Sequence, residues 1–168
     1  MLTVAWLAAR GSAMPPPVHL ARALTIHRPR PADPRVIRRF RSEAWRWQIL
    51  MGKRRSRGPI EPSTWRVLRF WKHRALASRQ QAMHPPNERA WLCIHRFEAS
   101  WHDSGDPYWG GLQMDRGFMS AYAPRYLLRR GWANRWTPLE QIWVGERARR
   151  AGRGFSPWPS SARLCGVL

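Results

Sequence analysis

Residues 93–115, CIHRFEASWHDSGDPYWGGLQMD, gather most of the side chains in this chain that could do chemistry. They hold one glutamate, Glu98, three aspartates, Asp103, Asp106 and Asp115, and two histidines, His95 and His102. Glu98 follows Ile94 by one helical turn and Trp91 by two, with Phe97 and Trp101 beside it. Burial on an apolar helix face disfavours the charged carboxylate, so such a group keeps a proton to donate near neutral pH. The competing reading is a partly exposed glutamate near a helix end. His95, His102 and Asp103 could be drawn as a metal site, but the histidines lie seven apart with no HExxH pattern. They read as lone surface histidines, and neither a metal nor a cofactor is expected. Asp103 and Asp106 read as turn residues and Asp115 as a helix cap, with a second catalytic carboxylate as their alternative role. The chain has no Ser-His-Asp elbow, phosphate-binding glycine loop or dinucleotide fingerprint.

The elements that must position Glu98 follow from pattern and punctuation. Asn87 reads as the cap of a helix through NERAWLCIHRFEASW, with Trp91, Ile94 and Phe97 or Glu98 on one face. Gly105, Pro107, Gly110 and Gly111 then give an irregular loop or short hairpin. Asp115 opens a further helix. Thr137-Pro138-Leu139-Glu140 is a strong start signal, with a Thr cap, Pro in first position and Glu completing a capping box. That helix extends to Gly152, and the tail GFSPWPSSARLCGVL reads as irregular.

Upstream, residues 14–36 are rich in Pro and Arg with no sustained period, the composition of a disordered linker. Ser42 and Gly52 bracket a candidate short helix, SEAWRWQILMG, and KRRSRGPIEPS reads as a solvated basic loop. From Thr64 a second helix carries Trp65, Leu68, Trp71 and Ala75 at helical spacing, and Pro85-Pro86 marks a boundary. The expected organisation is a weak leader and linker over 1–40, an Arg-rich helical extension over 41–86 and a folded domain over 87–168.

Charge follows the same division. The net charge is +20, and residues 1–86 hold 18 basic against 3 acidic side chains, residues 87–168 only 12 against 7. Only Lys53 and Lys72 are lysines, so the arginine bias reflects base composition as much as binding. Such a surplus attracts nucleic acid, anionic lipid or acidic wall polymers. The two cysteines, Cys93 and Cys165, sit near the ends of the second half and favour a disulfide over two buried thiols, hence an oxidising compartment. No segment reaches the ~20 apolar residues of a membrane span. MLTVAWLAARGSA is a weak leader, without a basic residue before its apolar run.

The run EASW…YWGGLQMD resembles the resuscitation-promoting-factor and transglycosylase-like domains of actinobacteria, small relatives of the lysozyme fold. Glu98, Trp101 and the turn Tyr108, Trp109, Gly110, Gly111, Leu112, Gln113 carry the resemblance, joined later by Glu140, Gln141, Glu146, Arg147, Trp158 and Pro159. It covers roughly residues 87–168. Phe97 stands where the family commonly has Cys, with Cys93 and Cys165 both displaced, and Ala99-Ser100 is one residue shorter than the family's Ser-Gly-Gly.

The resemblance implies an α+β, mostly helical fold: a small lysozyme-like domain with a short hairpin or irregular loop, preceded by the basic helical extension. It implies cleavage of the MurNAc–GlcNAc β-1,4 bond of peptidoglycan, with Glu98 as general acid. Trp101, Tyr108, Trp109, Gly110, Gly111 and Gln113 would bind the glycan, although Trp109 reads equally as core. The protein would be a secreted or wall-associated monomer, its partners peptidoglycan strands and anionic wall polymers. Two alternatives are a basic nucleic-acid-binding protein and an inactive wall-binding relative.

Overall fold

The computed structural model describes residues 31–168. The expected leader and most of the expected linker lie outside these residues. The described part is mostly helical. In chain order it comprises α1 (Pro34–Leu50), α2 (Trp65–Ala82), α3 (Glu88–Phe97), α4 (Arg116–Tyr122), α5 (Arg125–Leu128), a 3-10 turn (Ala133–Arg135), α6 (Pro138–Ala148), a π turn (Arg149–Arg153) and α7 (Pro159–Leu164). Among the described residues β structure is limited to isolated bridges, Pro31 with Thr64 and Trp109 with Met114.

Helix α1 starts at Pro34, not at Ser42. Asp33 caps it by accepting from the Arg35 amide at 2.7 Å, and Pro34 fills a first-turn position that needs no amide donor. The segment read as linker is therefore helical from residue 34. In α2, Thr64 caps through the Val67 amide, and Val67, Trp71, Ala75, Ser78 and Ala82 form the buried stripe. Trp65, expected in that stripe, is 50% exposed.

These two helices run parallel. Ala32 pairs with Ser63 at their starts, and Gln48 bonds to Ser78 near their ends. A parallel pair requires a connection that returns the full length of α1, about 25 Å for 17 residues. The segment between them does this; it is largely exposed, as its reading as a solvated loop expects, and is also fastened to both helices. Ser56 accepts from the indole of Trp45 and exchanges bonds with Gln48, and the Pro59 carbonyl accepts from the indole of Trp71 at 2.6 Å. At Gly58 the backbone passes so close to α2 that a Cβ would sit 2.3 Å from the Phe70 ring. Ile37, Ala44, Val67, Trp71 and Ala75 form a separate small core inside the pair.

The larger core belongs to residues 87–168, with Trp91, Ile94, Leu112, Met119, Leu127, Trp136, Trp143 and Trp158 among its members. Leu50, Met51 and Ala82 also join it, so the helix pair docks by its C-terminal ends. Because the helices are parallel, both present their unsatisfied carbonyls, the negative ends of their dipoles, to α6. Trp143 donates its indole N–H to Ala82 O at 2.7 Å, Arg147 donates to Ile49 O at 2.9 Å, and Arg150 donates to Met51 O. Burial, and then the neighbouring Arg150, push the Arg147 guanidinium below its ordinary pKa.

The capping box at Thr137 and Glu140 forms as expected, with Pro138 in first position. The tail does not stay irregular: Pro159 opens α7, and the bond between Cys93 and Cys165 fastens its end to α3, their Cα atoms 5.9 Å apart. Among the described residues no helix is long and apolar enough to cross a membrane.

Candidate functional site

Glu98 is the residue on which α3 ends. Its backbone (φ −98°, ψ −102°) leaves the helical region, so the side chain departs from the Trp91–Ile94 face rather than continuing it. The carboxyl is half-buried, and Oε1 accepts a 2.6 Å hydrogen bond from the Ser161 hydroxyl on α7. Among the described residues Oε2 has no hydrogen-bond partner. Glu98 lies in a cleft of about 450 Å³ walled by Phe97, Tyr108, Gln113, Trp158 and Leu164, and among the described residues it is the only carboxyl there. A smaller depression of about 190 Å³ shares Tyr108, Gln113, Pro157 and Trp158 with this cleft and continues toward Asp115 and Arg153.

The turn after residue 107 is held from behind. Trp109 and Met114 exchange both backbone bonds at 3.0 Å, closing a tight loop in which Gly110 (φ +74°) takes a left-handed conformation. A Cβ on Gly110 would lie 2.4 Å from Gln141 Oε1, and one on Gly111 would lie 2.5 Å from the Trp101 ring. The glycine pair is thus required by protein packing against Gln141 and Trp101. Gln141 is fully buried and accepts from the Gly111 amide while donating to the carbonyls of Trp101 and Ala133. His95 stacks on Trp101 with ring centroids 3.8 Å apart, and its Nδ1 lies 3.0 Å from Gly111 O.

The expected glycan-binding residues therefore separate. Tyr108 and Gln113 line the Glu98 cleft; Trp101, Trp109, Gly110 and Gly111 do not. Trp109 is only 5% exposed, packed against Trp132 beneath the Arg116 guanidinium, which is a core position. Trp101 lies behind the turn. His95 corrects its reading as a lone surface group, since it fastens the turn to α3, whereas His102 is exposed. Among the described residues no cluster of His, Cys, Asp or Glu could hold a metal ion.

The three aspartates have distinct positions. Asp115 caps α4 through the Phe118 amide at 2.6 Å, the cap role read from its place in the sequence. Asp106 pairs with Arg116 at the surface. Asp103 accepts from Gln113 Nε2 at 2.7 Å, and Gly110 O accepts from the same nitrogen at 2.9 Å. Both partners are acceptors only, so they fix the amide orientation and leave Gln113 Oε1 as the acceptor available to a ligand.

One residue of the cleft had no signal in the sequence. Ser161 sits in a Ser-Ser pair with no motif around it. Asn87 does not cap α3 with its side chain; its amide donates instead to Glu146 Oε1 at 2.7 Å. Glu146 is fully buried, and the Trp91 indole and Arg149 complete its shell. Compared with known proteins, the chain matches no family model and none of the curated proteins.

Proposed function

We propose that the protein is a peptidoglycan-cleaving glycosidase of the lysozyme or lytic-transglycosylase type, with Glu98 as its general acid. The observation that carries this reading is a lone carboxyl in an aromatic-walled cleft, one oxygen anchored by Ser161 and the other without a partner. Glu98 protonates the glycosidic oxygen as the C1–O bond breaks and its electron pair passes to the leaving group. Water attack at C1 gives the hydrolytic product. Attack by the sugar's own C6 hydroxyl forms a 1,6-anhydro ring and returns a proton to Glu98. A cleft with a single carboxyl suits the second route, which needs no second carboxylate. Tyr108 offers a half-exposed ring to a sugar face, and Gln113 Oε1 offers an acceptor to an acetamido N–H.

The α1–α2 pair fits a holdfast for anionic wall polymers, since among the described residues none of its arginines or lysines is ion-paired. The disulfide is compatible with the oxidising exterior that this role requires.

The test digests purified peptidoglycan with the full chain and with Glu98→Gln, and analyses the released muropeptides by mass spectrometry. Loss of at least about a hundredfold in release by the variant is expected. A product lighter than the hydrolytic one by one water identifies the anhydro route. Equal release by both proteins overturns the assignment. Salt-sensitive retention on DNA with no muropeptide release favours a nucleic-acid-binding protein instead.

A further inference from the structure

Helices α3 and α7 are joined twice. At one end Cys93 is bonded to Cys165; at the other Ser161 donates to Glu98. On α7 the two attachment residues are four apart, one helical turn, and so share a face. A six-residue helix is too short to hold its own position, because so few internal bonds cannot offset the cost of nucleation. The disulfide supplies that position from the C-terminal end of α7, and the Trp158 indole, donating to Leu112 O at 2.6 Å, supplies it from the other.

Ser161 is 2% exposed, so its hydroxyl has little water to turn to, and Glu98 Oε1 lies at 2.6 Å against 3.5 Å for Trp158 O. A hydroxyl that donates into Oε1 occupies that oxygen in either protonation state, since Oε1 is the carbonyl oxygen whenever the proton rides on Oε2. Among the described residues Oε2 is the oxygen with no protein partner.

Resting on the reading of Glu98 as the acid, we propose that Ser161 is a positioning residue that assigns different tasks to the two oxygens of Glu98. Oε1 is the anchor, and Oε2 gives the proton to the leaving oxygen and takes one back. The Cys93–Cys165 bridge holds α7 in place for this bond. Without the hydroxyl, the carboxyl rotates and its two oxygens exchange roles, so the proton is misplaced at the moment of bond cleavage while the sugar-facing walls are unchanged.

The experiment compares the full-length wild type, Glu98→Gln, Ser161→Ala and Ser161→Thr on solubilised glycan strands, measuring kcat, KM and thermal unfolding. Losing a hydrogen bond to a charged group predicts a fall in kcat of about tenfold to a hundredfold for Ser161→Ala, with KM and unfolding temperature near wild type. Ser161→Thr, which retains the hydroxyl, recovers most of kcat. Wild-type kcat in Ser161→Ala overturns the positioning role while leaving the acid role intact. So does a Ser161→Thr protein that folds but is as slow as Ser161→Ala. No release by wild type, or equal release by Glu98→Gln, overturns both readings together.

Discussion

The α1–α2 pair exposes 13 of the 14 arginine and lysine side chains of residues 31–86, and none is ion-paired. The three ion pairs among the described residues, Arg116 with Asp106, Arg130 with Glu140 and Arg149 with Glu146, all lie beyond the start of α3. The interiors differ as well. Inside the pair, Trp71 and Gln48 bond to the returning segment and to Ser78, and the one basic side chain not exposed is the half-buried Arg41, whose Nε is covered. In residues 87–168 a glutamine and a glutamate are buried completely, each with three or more hydrogen bonds, at least two of them to distant elements. One region keeps most of its charge outside, available to a polyanion; the other buries a carboxylate and an amide, to hold a turn and a cleft. Apolar packing tolerates small displacements. A satisfied buried polar network does so far less, because any shift leaves a group unpaired.

The sharpest way to break this contrast is Glu146→Ala. It leaves the Asn87 amide, the Trp91 indole and the Arg149 guanidinium without their acceptor, in the core that joins α3 to α6. Removing one partner from a buried charged network costs about 3–5 kcal/mol. Chemical denaturation should show a loss of that size. A loss below about 1 kcal/mol would mean that this interior is held by apolar packing alone.

A second, smaller disturbance acts on the seam between the regions. Arg147→Met keeps the aliphatic stem of the side chain and removes its bonds to Ile49 O and Tyr122 O. Leaving these partly buried carbonyls without a protein partner costs at most about 1–3 kcal/mol. The informative readout is hydrogen exchange. Protection should fall over residues 47–52 and around Tyr122, while the start of α1, which packs in its own core around Ile37, stays protected. Uniform loss along the whole of α1 would show that the pair has no independent core.

What the sequence made legible follows the same division. Asp115, Thr137 and Glu140 act as the caps their positions suggested, because a cap is a local arrangement of a few residues. The pairing of Cys93 with Cys165 was legible because there were only two cysteines to pair. The parallel course of α1 and α2 was not. It depends on where an extended basic segment lies, and neither helix period nor turn residues encode that. Gly110 and Gly111 were read as making room for a ligand, and their space is taken by Gln141, 30 residues away in sequence, and by Trp101. Ser161 is 63 residues from Glu98, and its only distinction is the place to which the disulfide and Trp158 bring it.

The smallest effect tests the seam by its charge. Tyr126 on α5 has its phenol pKa raised to about 12, first by burial and then by Glu140, with Arg46 of α1 and Arg130 and Arg147 of the other region opposing. An unfolded tyrosine loses its proton near pH 10. Between about pH 10 and pH 12 the unfolded chain therefore binds fewer protons than the folded one, and stability falls as pH rises. The contribution is fully present below pH 10 and disappears as pH passes the folded value. Tyr126→Phe has no proton to lose, so its stability should fall less steeply across that window. The difference should be under about 1 kcal/mol, because the ring is only half-buried and solvent screens the charge. Denaturation at pH 8 and pH 11 for both proteins measures it. Arg46 of α1 is one of the cations that favour the phenolate, so undocking the helix pair removes it. In the Arg147→Met background, which removes a second such cation, Tyr126 should therefore ionise at higher pH still; an unchanged titration would show that Arg147 and the seam are not electrostatically coupled to Tyr126.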